Sequence, residues 1–140
     1  VSMTRHSIRK VAFQLLFALA SNPETEIDAL YEQLRQDDEH LPQEMPAYLL
    51  ELTQGVAKQA DELDAVITSY LNNQWSLARL NKTDLLLLRL AIYEIKYVSA
   101  IPAKVAVDEA LQLAKEFSDE KSRRFINGIL SNLIEKNEED

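Results

Sequence analysis

Two histidines, no cysteine and two glycines leave this 140-residue chain few ways to build a catalytic site. His6 and His40 lie far apart in sequence and have no thiol to pair with. Asp108-Glu109 is an adjacent acid pair, but neighbours on a helix point about 100° apart, so it reads as a solvated helix face. There is no glycine-rich phosphate loop, no metal-ligand spacing and no nucleophile elbow. The reading is therefore a protein that binds and does not catalyse, with no cofactor and no metal.

The side chains suited to binding lie at two places. Arg5 and Arg9 are four residues apart, which puts them on one face of a helix, with His6 and Lys10 on the adjoining strip. No acid precedes Glu24. Free N–H groups of a first helical turn also favour anions, so the cluster could hold phosphates. Ordinary surface charge near a terminus explains the same residues, and spacing alone leaves both readings open. The second place is 121–125, where Lys121, Arg123 and Arg124 run into Phe125. Cations beside a ring suit single-stranded RNA, where an unstacked base lies on the aromatic face while a cation holds the phosphate. Phe125 also keeps helical register with Leu130 and Leu133, and periodicity alone favours a place in the core for it. Phe13 and Phe17 share a face with Arg9, partly outside the main apolar stripe, and an exposed apolar strip there would suit a protein partner.

Helices must position these groups, because two glycines are too few for the tight turns of an all-β chain. Apolar residues Ile8, Val11, Ala12, Leu15, Leu16 and Leu19 predict a helix over 4–20, with Thr4 as its N-cap. Pro23 is expected at the first position of a second helix, roughly 24–36. A helix from Pro46 continues to Leu71 with a break near 58–61, and Asn72-Asn73 stops it. Trp75 to Leu80 reads as a short helical turn. Asn81 and Asp84 form a capping box for a helix over 82–97 that is apolar nearly all round and belongs at the centre. Pro102 opens a helix to Phe117, with Val105, Ala106, Leu111, Leu113 and Ala114 inward. Ser118 is expected to cap the last helix, to about 136, leaving 137–140 frayed. Helical periodicity runs through Asn127-Gly128, so Gly128 is expected where another helix backbone comes close.

Net charge is −8, but the average hides a segregation. Residues 23–64 carry twelve acids against Arg35 and Lys58. A local basic patch can still hold phosphates in such a chain. No apolar run approaches the ~20 residues of a membrane span, and no signal region precedes the first helix, so a cytoplasmic protein without membrane contact is expected.

Several segments, in order, resemble the NusB-type bacterial transcription antitermination factors. They are Arg5…Arg9-Lys10-Val11-Ala12-Phe13-Gln14-Leu15-Leu16-Phe17, then Gly55-Val56, then Trp75-Ser76-Leu77-Ala78-Arg79-Leu80. Asp84-Leu85 and Leu88-Arg89-Leu90-Ala91-Ile92-Tyr93-Glu94 follow. Last come Ile101-Pro102…Val105-Ala106-Val107-Asp108-Glu109-Ala110…Leu113-Ala114-Lys115 and Phe125-Ile126-Asn127-Gly128-Ile129-Leu130. The resemblance implies an all-α fold of about seven helices in two packed halves, about 4–73 and 74–136, forming one domain. It implies binding of boxA RNA together with NusE, a small-subunit ribosomal protein, and association with elongating RNA polymerase, notably on ribosomal RNA operons. It puts RNA contacts at Arg5, His6, Arg9, Lys10, Lys121, Arg124 and Phe125, and partner contacts at Phe17, Ser21 and Asp84. Ala78 stands where relatives often carry glutamate. The same fold forms the N-terminal domain of some ribosomal RNA methyltransferases, but no cofactor-binding domain follows here, so a free-standing factor, monomeric or weakly homodimeric, is expected.

Overall fold

Seven α-helices and one 3-10 turn make up the computed structural model, which describes residues 3–72 and 76–139 and, among them, no strand. The helices are α1 (Arg5–Ser21), α2 (Ile27–Asp37), α3 (Ala47–Lys58), α4 (Ala60–Ser69), α5 (Lys82–Tyr97), α6 (Ala103–Phe117) and α7 (Glu120–Glu139). The 3-10 turn, Leu77–Arg79, falls within the expected helical turn; Asn73 and Trp75 lie outside the described residues.

α5 occupies the middle, packed against α1, α3, α4, α6 and α7. Leu86, Leu87, Leu88, Leu90, Ala91 and Ile92 are all buried, so its all-round apolar sequence is used on every side. One buried apolar cluster draws on all seven helices, from Leu15 in α1 to Leu130 in α7. α1 runs antiparallel to α5: Ser21 meets Lys82 at the start of α5, while Arg9 meets Glu94 near its end. Arg9, Ile8, Val11, Ala12, Phe13, Leu15 and Leu16 form the buried stripe of α1.

Local sequence explains most boundaries. The Thr4 hydroxyl accepts the Ser7 N–H at 3.0 Å and starts α1. The Asn81 side chain accepts the Asp84 N–H at 2.7 Å and starts α5. α3 and α4 break at Gln59, inside the expected window.

Five expectations need correction. Pro23 does not open α2. Asn22 to Thr25 form a tight turn closed by the Thr25 N–H on the Asn22 carbonyl at 3.0 Å, with Pro23 at the position a β-turn favours. Ser118 ends α6, its N–H bonded to the Ala114 carbonyl, and it is Asp119 that caps α7 by accepting the Ser122 N–H at 2.8 Å. Val105, expected inward, is 40% exposed, and Val107 is buried in its place beside Ala106. α7 runs past the expected end at 136 to Glu139. Gly128 has open space where a Cβ would be, whereas a Cβ on Gly55 would lie 2.3 Å from the Tyr93 ring. The close approach is therefore at Gly55, between α3 and α5, and an aromatic side chain makes it.

Candidate nucleic-acid interface

The basic residues of α1 do not form a uniform face. Arg5 is exposed at the first turn, and its guanidinium carbon lies 4.0 Å from the centre of the Tyr48 ring. Arg9, one turn on, is only 3% exposed. Its Nε donates to both Glu94 carboxylate oxygens, at 2.8 and 3.0 Å, and the Glu109 carboxylate stands 3.8 Å from its Nη1. Arg9 was expected to contact RNA, but the apolar stripe of α1 carries it into the core. Removal from water works against its charge, and the Glu94 hydrogen bond and charge outweigh that, so its pKa is raised. His6 and Lys10 are each engaged: His6 Nδ1 is 2.5 Å from Glu109 and Lys10 Nζ is 2.5 Å from Glu116, both pairs linking α1 to α6. Glu109 is therefore no solvated acid.

Tyr48 completes this network. Its hydroxyl donates to Glu94 Oε2 at 2.5 Å. Burial, and then the bond to Glu94, push the phenol pKa well up, so the hydroxyl remains a donor. Sequence reasoning missed Tyr48, Glu94 and Glu109. A signal for Glu94 existed: one carboxylate inside the apolar surround of α5 needs a buried cation, and Arg9 sits equally oddly between Ile8 and Val11.

The second basic group forms a pocket. A cavity of about 300 Å³ is lined by Arg79, Leu80, Asn81, Asp84, Asp119, Lys121, Ser122 and Phe125. Phe125 is half-buried, resting against the core while lining this cavity. Lys121 and Arg79 are exposed beside it. Arg124 reaches solvent with 79% of its side chain exposed, and its Nε is 3.5 Å from Glu120. Neither Arg79 nor Asn81 was singled out for this role from sequence; the 3-10 turn and the cap of α5 bring them there.

Asp84, which the resemblance puts among the partner contacts with Phe17 and Ser21, lies apart from them. It is 6% exposed and lines the Phe125 cavity, because its position on α5 faces α7. Its Oδ2 accepts from the Ser122 hydroxyl at 3.1 Å. Burial raises its pKa, with the Ser122 hydrogen bond acting in the opposite sense.

Phe17 and Ser21 do come together, at the end of α1. Phe17 is 39% exposed. Lys82 joins the two, its Nζ 4.8 Å from the Phe17 ring centre and donating to Ser21 Oγ at 2.7 Å. Behind this edge, Phe13, Gln14, Phe17, Thr83 and Phe117 line an open hollow of about 270 Å³. Phe13 itself is buried, 4.9 Å centre to centre from Phe117. The two basic groups are apart: Glu94, beside Arg9, and Asp84, beside Phe125, are ten residues apart on α5, a separation of about 15 Å along the axis.

Among the described residues, no helix is long and apolar enough to cross a membrane, and no group of acids and histidines is arranged to hold a metal ion. A model of the NusB family matches residues 6–135. The chain is similar to the transcription antitermination protein NusB of Levilactobacillus brevis, with 51% identity covering 96% of this chain and 95% of the relative. Its counterpart from Ligilactobacillus salivarius is 52% identical, covering 96% and 100%. Among solved structures, T. maritima NusB superposes with a TM-score of 0.82 at 30% identity, covering 94% of this chain and 91% of that one. A chain in the crystal structure of the antitermination factors NusB and NusE in complex with dsRNA shares the fold, with a TM-score of 0.79 at 23% identity over 96% and 99% of the two chains. With the family model spanning nearly the whole chain and about half of all residues identical to named members, this chain belongs to the NusB family of transcription antitermination proteins.

Proposed function

We propose that this chain binds boxA-type RNA together with NusE and that the pair joins the elongating RNA polymerase complex, especially on ribosomal RNA operons. The observation that carries the RNA reading is the cavity where the half-buried Phe125 ring meets Lys121 and Arg79. At about 300 Å³ it lies at the lower end of the usual range for ligand pockets, which suits one unstacked base better than a larger ligand. Lys121 and Arg124 would then hold flanking phosphates, and Arg5 a further one. The hollow at Phe17, Ser21 and Lys82 is the proposed seat for NusE. The antitermination factor that shares this fold is found with NusE and dsRNA, which supports the pairing.

Titration of a boxA RNA oligonucleotide over a range of salt, with and without NusE, tests this. The double variant Lys121→Ala, Arg124→Ala should weaken binding and flatten the plot of log K against log salt by about 1.4, roughly 0.7 per lost single-strand contact. Phe125→Ala should cost about 1–3 kcal/mol of RNA affinity. Its loss of stability should fall short of the ~3–5 kcal/mol expected for a fully buried ring. Wild-type affinity and slope in both variants would move the RNA away from this cavity.

A further inference from the structure

We infer that Tyr48 is a positioning residue for RNA: its ring seats the Arg5 guanidinium with its N–H edge outward, ready to take one phosphate. This rests on the RNA-binding reading above. A guanidinium is planar, with five N–H donors around its rim. Stacked on a ring, it spends its face on the aromatic and keeps those edge donors available, whereas an unsupported arginine at an exposed first turn must lose several rotors on binding. The 4.0 Å separation between Arg5 and the Tyr48 ring centre is a close cation–π contact.

The seat is fixed from below. Tyr48 lies near the start of α3, and its hydroxyl is tied to Glu94 on α5, whose two oxygens are held in turn by the buried Arg9. Three helices thus set the plane of one ring. Arg9, which does not reach solvent, acts on the surface through Glu94 and Tyr48. The segregation of charge helps: no acid lies between Arg5 and Glu24 in sequence, and Glu94 and Glu109, the two carboxylates of the network beneath the ring, are occupied by Arg9, Tyr48 and His6.

The test compares Tyr48→Leu, Tyr48→Phe, Arg5→Ala, Arg5→Lys and the double variant Arg5→Ala, Tyr48→Leu. Each is checked for folding by circular dichroism and titrated with a boxA RNA oligonucleotide at several salt concentrations. Tyr48→Leu should weaken binding about two- to fivefold, the range of an exposed cation–π contact, and lower the salt slope by about 0.7. Tyr48→Phe keeps the ring but loses its tie to Glu94, so its affinity should fall between those of wild type and Tyr48→Leu. The double variant should bind no more weakly than Arg5→Ala alone. Arg5→Lys, at an exposed position that leaves the fold untouched, keeps the charge but not the planar fork and should also bind more weakly. Additive effects in the double variant, or wild-type binding by Arg5→Lys or by folded Tyr48→Leu, would overturn the seat. Full affinity in Arg5→Ala would instead remove RNA from the first turn of α1, a failure of the underlying reading and a distinct result.

Discussion

Arginines one turn apart on α1 have opposite fates, and burial decides between them. Arg5 is exposed beside a ring; Arg9 lies 3% exposed against Glu94, which is 1% exposed. Arg9→Ala removes one partner from a buried pair and leaves the Glu94 charge without compensation, a loss of about 3–5 kcal/mol. Urea unfolding should show that fall in stability, and RNA binding by the remaining folded protein should drop less than in the Lys121, Arg124 double variant. A stable Arg9→Ala protein with abolished RNA binding would put Arg9 back among the RNA contacts. Lysine is a poor substitute at this position, since Nε reaches both Glu94 oxygens and Nη1 faces Glu109.

Between elements, the joint of the α5 and α7 starts is made by polar groups. Asn81 caps α5, Asp119 caps α7, and the Asp84 carboxylate bonds the Ser122 hydroxyl across the gap. Burial raises the Asp84 pKa above its ordinary value, so folding favours its protonated form. A raised carboxylate pKa means stability present at acid pH that is lost as pH rises through the folded value. Asp84→Asn should therefore gain stability relative to wild type at neutral pH, with the gain shrinking to nothing as pH falls below the ordinary aspartate range near 4. Asp119 has the opposite sign: the Ser122 backbone hydrogen bond lowers its pKa, so its capping contribution is present above the ordinary aspartate value and fades as pH falls. Equilibrium unfolding of Asp84→Asn at pH 7 and pH 3.5 separates the two. A variant less stable than wild type at neutral pH would mean that the Ser122 bond outweighs the cost of burying the charge.

At the scale of the whole molecule, the proposed partner and RNA surfaces lie at different places around α5. Phe17, Ser21 and Lys82 form one surface at the end of α1, while Phe125 and Lys121 line a separate cavity at the start of α7. Phe17 is exposed, so Phe17→Ala should leave the unfolding midpoint nearly unchanged. It should reduce capture of NusE, and binding of boxA RNA by this chain alone should be unaffected. Equal loss of RNA binding without NusE would mean that the two surfaces are one.

Sequence by itself determined the helices, the central place of α5 and the family. Scarce glycine, unbroken 3.6-residue periodicity and caps at Thr4 and Asn81 are local signals, and local hydrogen bonds honour them. It also picked out Arg5, Lys121, Arg124 and Phe125, which remain at the surface or beside a cavity, and Phe17 with Ser21, which do meet. Tertiary structure alone decided the rest, because partners distant in sequence settle what a charge does. Arg9 and Glu94 neutralise each other across 85 residues; Glu109 is drawn to His6 across 103. Asp84 faces α7 and not Phe17, since the rotation of α5 about its axis is set by the core it fills. Gly55 matters and Gly128 does not, for only the packing of α3 on α5 brings the Tyr93 ring to within 2.3 Å of where a Cβ would stand.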